Sequence, residues 1–335
     1  MHIYEENKYN ILAVDHGNYA IKTSFDQFTS GLREDSVAPA MGEEYISYKD
    51  GKWMLSGDVP NYIRSKTEYE NLFVQTLFAA ARESKNQRLD LSRPVSLAVG
   101  LPPMHMRTEK KEIEKYFKER NETRLVYNGS KGIPLIFDSV YVYPQALSAI
   151  AYVKYAASTG DLPKPKFIDF PSLLIVDIGG GTADTIYIRD GKTVLSLCKS
   201  YELGTNFLIE TIMNDMSMNL GITISSRIAE DILMGRPNIY TIDPDDETSR
   251  QVERIIRRAR KEHVKNLLSK IMMDISDARA VPCIFEGGGA ELLKNEIMSD
   301  SLAKIRSPKC EFLTDPHYNA RGYFYLTDLQ KRQVK

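Results

Sequence analysis

Short apolar runs that end in a small-residue turn recur along this chain, and between them apolar residues fall at helical spacing, which predicts a mixed α/β protein. Leu173-Leu174-Ile175-Val176 is apolar throughout and predicts a strand, and Thr185-Ile186-Tyr187-Ile188 alternates as a half-buried strand does. The segment joining them, Asp177-Ile178-Gly179-Gly180-Gly181-Thr182-Ala183-Asp184, then makes a hairpin turn. Tyr9-Asn10-Ile11-Leu12-Ala13-Val14 predicts another strand, running into Asp15-His16-Gly17-Asn18-Tyr19-Ala20-Ile21-Lys22. A third run, Cys283-Ile284-Phe285-Glu286-Gly287-Gly288-Gly289-Ala290, leads from a strand through glycines into helical spacing at 291–297. Further helices are expected at 67–84, 108–120, 146–152 and 206–216, and strands at 95–100 and 133–137. Asp190-Gly191 predicts a second turn, between strands 185–189 and 193–197. Pro144 lacks an N–H and has a fixed φ, which suits the first turn of the helix after it and puts Gln145 at that helix's start.

A glycine turn has no Cβ atoms to stop its backbone N–H groups curling into a concavity that holds an anion, and phosphate is the natural occupant. Asp177 stands where the strand ends, and a carboxylate beside phosphates repels them unless a divalent cation intervenes, as a water-keeping Mg²⁺ does. The segment reads as a Mg-nucleotide site, although one glycine hairpin taken alone is equally a tight turn that needs positive φ. Repetition adds weight. Strand, Asp and small-residue turn occur twice, which suggests two similar half-domains that clamp one polyanion from opposite sides. Lys22, on the returning strand, shares a side with Ala20 and Asn18, so its ammonium either reaches the phosphates or is a solvated strand lysine.

Length and charge narrow the classes. At 335 residues the chain exceeds what one hydrophobic core usually serves, so two domains are expected. The clearest break is Ser158-Thr159-Gly160-Asp161-Leu162-Pro163-Lys164-Pro165-Lys166, which puts a first domain at 1–160 and a second at 161–312. A net charge of −1 argues against a general polyanion-binding surface, so no direct nucleic-acid binding is expected. No apolar stretch approaches the roughly 18 to 20 residues of a membrane span, and the start of the chain is polar and acidic, so a cytoplasmic protein with no membrane partner is expected. Cys198, Cys283 and Cys310 show no Cys-x-x-Cys spacing, which indicates neither a disulfide framework nor a zinc site. The one strong basic cluster, 251–263, has Val252, Ile255, Ile256 and Ala259 at helical spacing, so its bases share the opposite face, as a solvated helix, a subunit contact or a groove for purine and ribose. His2, His105, His263 and His317 lack partners at metal-ligand spacing; His16 either tunes phosphate contacts or faces solvent.

The three glycine segments, in this order, resemble the first phosphate loop, the second phosphate loop and the adenosine segment of the actin-like ATPase superfamily. In that superfamily a lysine also follows the first-loop aspartate by seven residues, as Lys22 follows Asp15. Asp315-Pro316-His317-Tyr318-Asn319-Ala320-Arg321-Gly322-Tyr323 is similar to a segment of the plasmid-segregation actins, the ParM/StbA family, and Val99-Gly100-Leu101-Pro102-Pro103 resembles that family's Leu-Pro turn. Ala79-Ala80-Ala81 is a weaker likeness. The resemblance runs from Ile11 to about Leu326 and implies the duplicated, ribonuclease H-like fold: two α/β domains around a nucleotide cleft, with 313–335, including the final strand and helix after Pro316, returning to the first.

The resemblance implies a site by position. Gly17, Asn18, Lys22, Gly179, Gly180, Gly181, Thr182 and Asp184 would hold phosphates, Gly204 and Thr205 would lie close by, and Gly287, Gly288, Gly289 and Ala290 would receive the adenosine. Arg227 and Glu230 are candidates for reading the base by region only, and GTP stays open beside ATP. Asp15 and Asp177 would hold Mg²⁺ through water and form the catalytic set with Gln145, which would position the attacking water unless it is a helix-capping residue. A neutral amide orients water but is a poor base, so slow hydrolysis that times a conformational state is expected. The implied protein is a filament-forming ATPase whose partners are itself and a small DNA-bound adaptor of the ParR type. Rival expectations are a sugar or acetate kinase on the same fold, disfavoured by Gln145 where an aspartate base is usual, and a scaffold actin of the rod-shape or cell-division type, whose membrane-binding end 328–335 is too polar to supply. A heat-shock ATPase would need a substrate domain for which the chain leaves no room.

Overall fold

The computed structural model describes residues 7–39, 42–57, 70–121, 123–243, 245–299 and 310–333. Its contacts divide the chain into Met1–Ile168 with Pro316–Lys335, and Asp169–Asp315.

The first unit begins with β1 (Ile11–His16), β2 (Ala20–Lys22), β3 (Gln27–Thr29), β4 (Gly31–Asp35), β5 (Tyr45–Tyr48) and β6 (Gly51–Ser56). There follow α1 (Asn71–Lys85), β7 (Val95–Leu101), α2 (Met106–Lys118), β8 (Thr123–Tyr127), β9 (Ile133–Leu135), β10 (Phe137–Pro144) and α3 (Leu147–Thr159). The expected helix start at 67–69 lies outside the described residues. The main sheet has the order β3-β2-β1-β7-β10, with β1, β7 and β10 parallel and the β1-β2-β3 meander antiparallel. Every residue of β7 is buried, as a strand covered on both faces requires. A second sheet, β4-β6-β5-β8-β9, completes the unit. Its core joins Leu12, Val14, Phe73, Leu77, Phe78 and Phe117.

The second unit contains β11 (Leu173–Ile178), β12 (Ala183–Arg189), β13 (Lys192–Thr193), β14 (Lys199–Tyr201), α4 (Thr205–Leu220), α5 (Ser226–Leu233), α6 (Glu247–Asp274), β15 (Cys283–Glu286), α7 (Gly288–Leu292), α8 (Lys294–Ser299) and β16 (Cys310–Leu313). Its sheet runs β13-β12-β11-β15-β16, antiparallel through β12 and β13 and parallel from β11 to β16, with β14 also on β12. Both units thus repeat one plan, an antiparallel meander whose first strand continues into a parallel ladder, and the duplicated pattern of the sequence is a duplicated topology. The chain closes with α9 (Tyr318–Gln333), which packs on α3, β1 and β7.

Four local expectations need correction. Pro144 is the last residue of β10, opposite Leu101 of β7, because an edge strand does not need its missing donor. The helix starts at Leu147, so Gln145 and Ala146 form the strand-to-helix turn. The strand expected at 193–197 stops at Thr193 and gives way to a short 3₁₀ turn, Leu195–Leu197. After Pro316 the described residues hold one helix and no strand; β16 precedes it and pairs with β15.

The basic helix is longer than its pattern, Glu247–Asp274, and several of its charges are engaged. Arg254 pairs with Glu247 at 2.9 Å, Arg258 with Asp215 at 3.0 Å, and Arg260 meets the Leu233 carbonyl. His263 lies on its apolar face, 4 % exposed, with its ring against Phe207. Burial pushes its pKa down to about 4, and the Leu203 backbone opposes this only in part. The unfolded chain, with the ordinary value of 6.5, binds the proton first as pH falls, so the stabilisation is complete above that value and is lost on the way down to 4. Denaturant unfolding is expected to show about 3 kcal/mol less stability at pH 4 than at pH 7 from this group. His263→Phe, with nothing to protonate, should flatten that limb; an unchanged pH dependence would show that His263 does not cause it.

Candidate functional site

In the first unit the site is built where β1 ends. Asp15 is 3 % exposed and lies opposite Lys22 across the β1–β2 hairpin, with Nζ 3.9 Å from Oδ2. The Gly17 N–H returns to the Asp15 carbonyl at 3.1 Å, and the Asn18 carbonyl accepts from Ser30 Oγ at 2.6 Å, which braces the turn from outside. Gln145 arrives from the β10–α3 turn and donates Nε2–H to Asp15 Oδ1 at 2.9 Å. It is bonded to the aspartate and not used as a helix cap. His16 does not face solvent: it is buried and meets Thr76 Oγ1 at 2.9 Å.

Residues of α9, to which sequence reasoning gave no role, complete this half. Tyr323, fully buried, donates its hydroxyl to Asp15 Oδ1 at 3.3 Å. A Cβ on Gly100 would lie 2.0 Å from that hydroxyl oxygen, so β7 must carry glycine where the ring passes. Asn319 Oδ1 accepts the Ala146 N–H at 2.8 Å. Ala146 has φ 61° and ψ −51°, a γ-turn conformation that costs a non-glycine residue on the order of 1 kcal/mol or more; the Leu147 N–H closes the turn on the Gln145 carbonyl, and Asn319 braces it. His317 and Arg321 reach the carbonyls of Thr23 and Ser24 at 2.8 and 3.0 Å. The signal for them in the sequence was the resemblance of 315–323 to a segment of the plasmid-segregation actins.

In the second unit Asp177, one residue before the end of β11, lies opposite Asp184, and Gly179 to Gly181 turn the hairpin. The turn rests on the start of α4. The carbonyls of Gly179, Gly180 and Gly181 accept from the N–H groups of Thr205, Asn206 and Gly204 at 3.0, 2.8 and 3.4 Å. In a trans peptide the N–H points opposite to its carbonyl, so the N–H groups of Gly180, Gly181 and Thr182 face away from α4, as an anion-binding concavity requires. Thr182 Oγ1 donates to Asp184 Oδ2 at 3.0 Å. Gly287 has φ 86°, and a Cβ there would lie 2.5 Å from Asp177 Oδ1; Gly288 and Gly289 open α7, and Ala290 is buried behind them. Arg227 is exposed on α5, and Glu230 pairs with Arg236 at 3.2 Å, a residue that sequence reasoning did not single out.

Asp184, Asp177 and Glu286 stand in register on adjacent strands and so share one face of the sheet. Their oxygens are the hard donors that Mg²⁺ takes. Among the described residues, no three His, Cys, Asp or Glu side chains converge on one metal position. A hydrated cation held through its waters by one or two carboxylates fits this donor set, and a metal needing several protein ligands does not.

Two α/β units, each with the same meander and parallel ladder and each with an aspartate at its hairpin, define a protein of the actin-like fold. The comparisons with known proteins agree. Residues 175–299 match the family model described as archaeal actin homologue MreB-like, C-terminal. No curated protein matches the chain in sequence. Among solved structures, the archaeal actin homolog Ta0583 superposes with a TM-score of 0.72 at 15 % identity, covering 95 % of this chain and 99 % of its own. A 15-stranded ParM filament from Clostridium botulinum gives 0.72 at 16 % identity, covering 95 % and 99 %. Bacillus thuringiensis ParM with ATP gives 0.62 at 14 %, covering 96 % and 100 %. At these identities the likeness establishes the fold alone. No helix among the described residues is long and apolar enough to cross a membrane.

Proposed function

We propose that this chain is a nucleotide-dependent, filament-forming actin-like ATPase of the ParM type. The observation that carries the reading is the second hairpin: its three glycine carbonyls are tied to the first N–H groups of α4, which turns the next three N–H groups outward as a phosphate cradle. By the resemblance, Asp15 with Lys22 and Asp177 with the glycine loop are the parts that would bind a Mg-nucleotide. Lys22 supplies a cation for the phosphates, and Asp15 and Asp177 anchor Mg²⁺ through its waters. Bound there, Mg²⁺ would neutralise charge developing on the phosphoryl oxygens. Gly287 to Ala290 receive the nucleoside, with ATP preferred on resemblance and GTP left open; solved relatives were captured with ATP and with ADP.

Hydrolysis then works as a clock. A triphosphate would have phosphate contacts that the diphosphate lacks, so the state that favours assembly would outlive binding and end with phosphate loss. A head-to-tail contact that repeats without closing gives a filament. Coupling to plasmid movement through a ParR-type adaptor is the finer part of the proposal. The match of 175–299 to an MreB-like family favours, as second reading, a cytoskeletal actin with no plasmid cargo.

High-speed sedimentation with Mg²⁺ and ATP, GTP, ADP or no nucleotide, with pellets viewed by negative-stain electron microscopy, tests the reading. Filaments are expected with a triphosphate and dispersal with ADP. Monomers in every condition across a wide concentration range would overturn it.

A further inference from the structure

We infer that Tyr323, on the C-terminal helix, is a positioning residue for hydrolysis: it shares Asp15 Oδ1 with Gln145 and thereby sets which atom of the Gln145 amide faces the nucleotide. The inference rests on the role proposed above for Gln145. An ionised carboxylate only accepts hydrogen bonds, so the amide group that meets Asp15 Oδ1 at 2.9 Å is the nitrogen. The Oε1 oxygen is thereby turned away from Asp15, free of the flip that would present a donor instead. An oxygen in that place can accept from a water and orient its lone pair; an NH₂ cannot.

Asp15 can enforce this only if its own carboxylate is fixed, and Tyr323 does that from behind. Its hydroxyl reaches the same oxygen at 3.3 Å. The ring is held by near-parallel stacking on Tyr143, at 6.3 Å and 11°, and Tyr143 is in turn bonded by Thr327 and Gln330 of the same helix at 3.1 and 3.0 Å. Asn319, one turn earlier, holds the strained Ala146 beside Gln145. One face of α9 therefore controls both ends of the Gln145 residue: the backbone turn that launches it and the carboxylate that receives it.

Tyr323→Phe keeps the ring and its stack and removes only the hydroxyl. With saturating Mg-ATP, the rate of phosphate release is expected to fall about tenfold while calorimetric affinity for Mg-ATP changes less than about twofold, the split of an interaction used after binding. Because Tyr323 acts through Asp15 on Gln145, the same change made in Gln145→Ala should slow release no further. Release by Tyr323→Phe at the wild-type rate, or an equal slowing in both backgrounds, would overturn the inference and leave the ATPase reading intact. A wild-type chain that binds no Mg-ATP, or releases no phosphate from it, would overturn both.

Discussion

Asp177→Asn is expected to weaken Mg-ATP binding about a hundredfold, the upper range for removing a charged group that holds a metal at one remove. The asparagine keeps the shape beside Gly287 and removes the charge that anchors the cation. The fold should not suffer. Asp177 stands in register between Asp184 and Glu286, and neutralising the middle of three acidic positions relieves repulsion, so the thermal midpoint should stay or rise. Opposite signs for stability and binding are the mark of a position kept for its ligand. Isothermal calorimetry and thermal unfolding on one sample measure both. Wild-type affinity in Asp177→Asn would remove this carboxylate from the site.

Gly204→Ala is the second large effect, and it acts through one methyl group. Gly204 has φ −76° and ψ −176°, open to any residue, so no backbone strain is introduced. The added Cβ would sit 2.3 Å from the Gly180 carbonyl oxygen and 2.6 Å from the Gly181 carbonyl carbon, both main-chain atoms with nowhere to turn. The glycine loop must move off the start of α4. Overpacking of this kind costs about 2 to 3 kcal/mol, which in a unit of this size lowers the melting temperature by about 5 to 10 °C. Displaced from α4, the loop also loses the peptide orientation that turns its N–H groups outward, so nucleotide affinity should fall with stability. A variant with wild-type melting and wild-type affinity would show that the loop does not rest on α4.

Those two residues differ in how visible they were. Asp177 could be read from the chain because strand, carboxylate and glycine turn are contiguous, and a hairpin is a local structure whose chemistry travels with it. Gly204 was placed near the site by resemblance, and the reason it must be glycine, a neighbouring main chain, is a property of the packed molecule. The basic segment 251–263 marks another limit. Its period predicted a helix correctly, but the covering of His263 and the pairing of Arg254, Arg258 and Arg260 depend on what packs beside it.

By itself the sequence determined whatever depends on neighbours along the chain: the α/β alternation, the hairpins at Asp15 and Asp177, the glycine run at 287–289, and the duplication that both sheets repeat. Tertiary structure decided what depends on partners distant in sequence. β10 extends through Pro144 because β7 runs beside it as far as Leu101, and this sets the start of α3 and makes Gln145 part of a turn. Asn319 reaches Ala146 across 173 positions and Tyr323 reaches Asp15 across 308, contacts that exist only once α9 has packed on α3 and β1. Hydrophobic and glycine periodicity encodes local geometry. A hydroxyl 3.3 Å from a carboxylate is a result of packing, with no period in the chain to announce it.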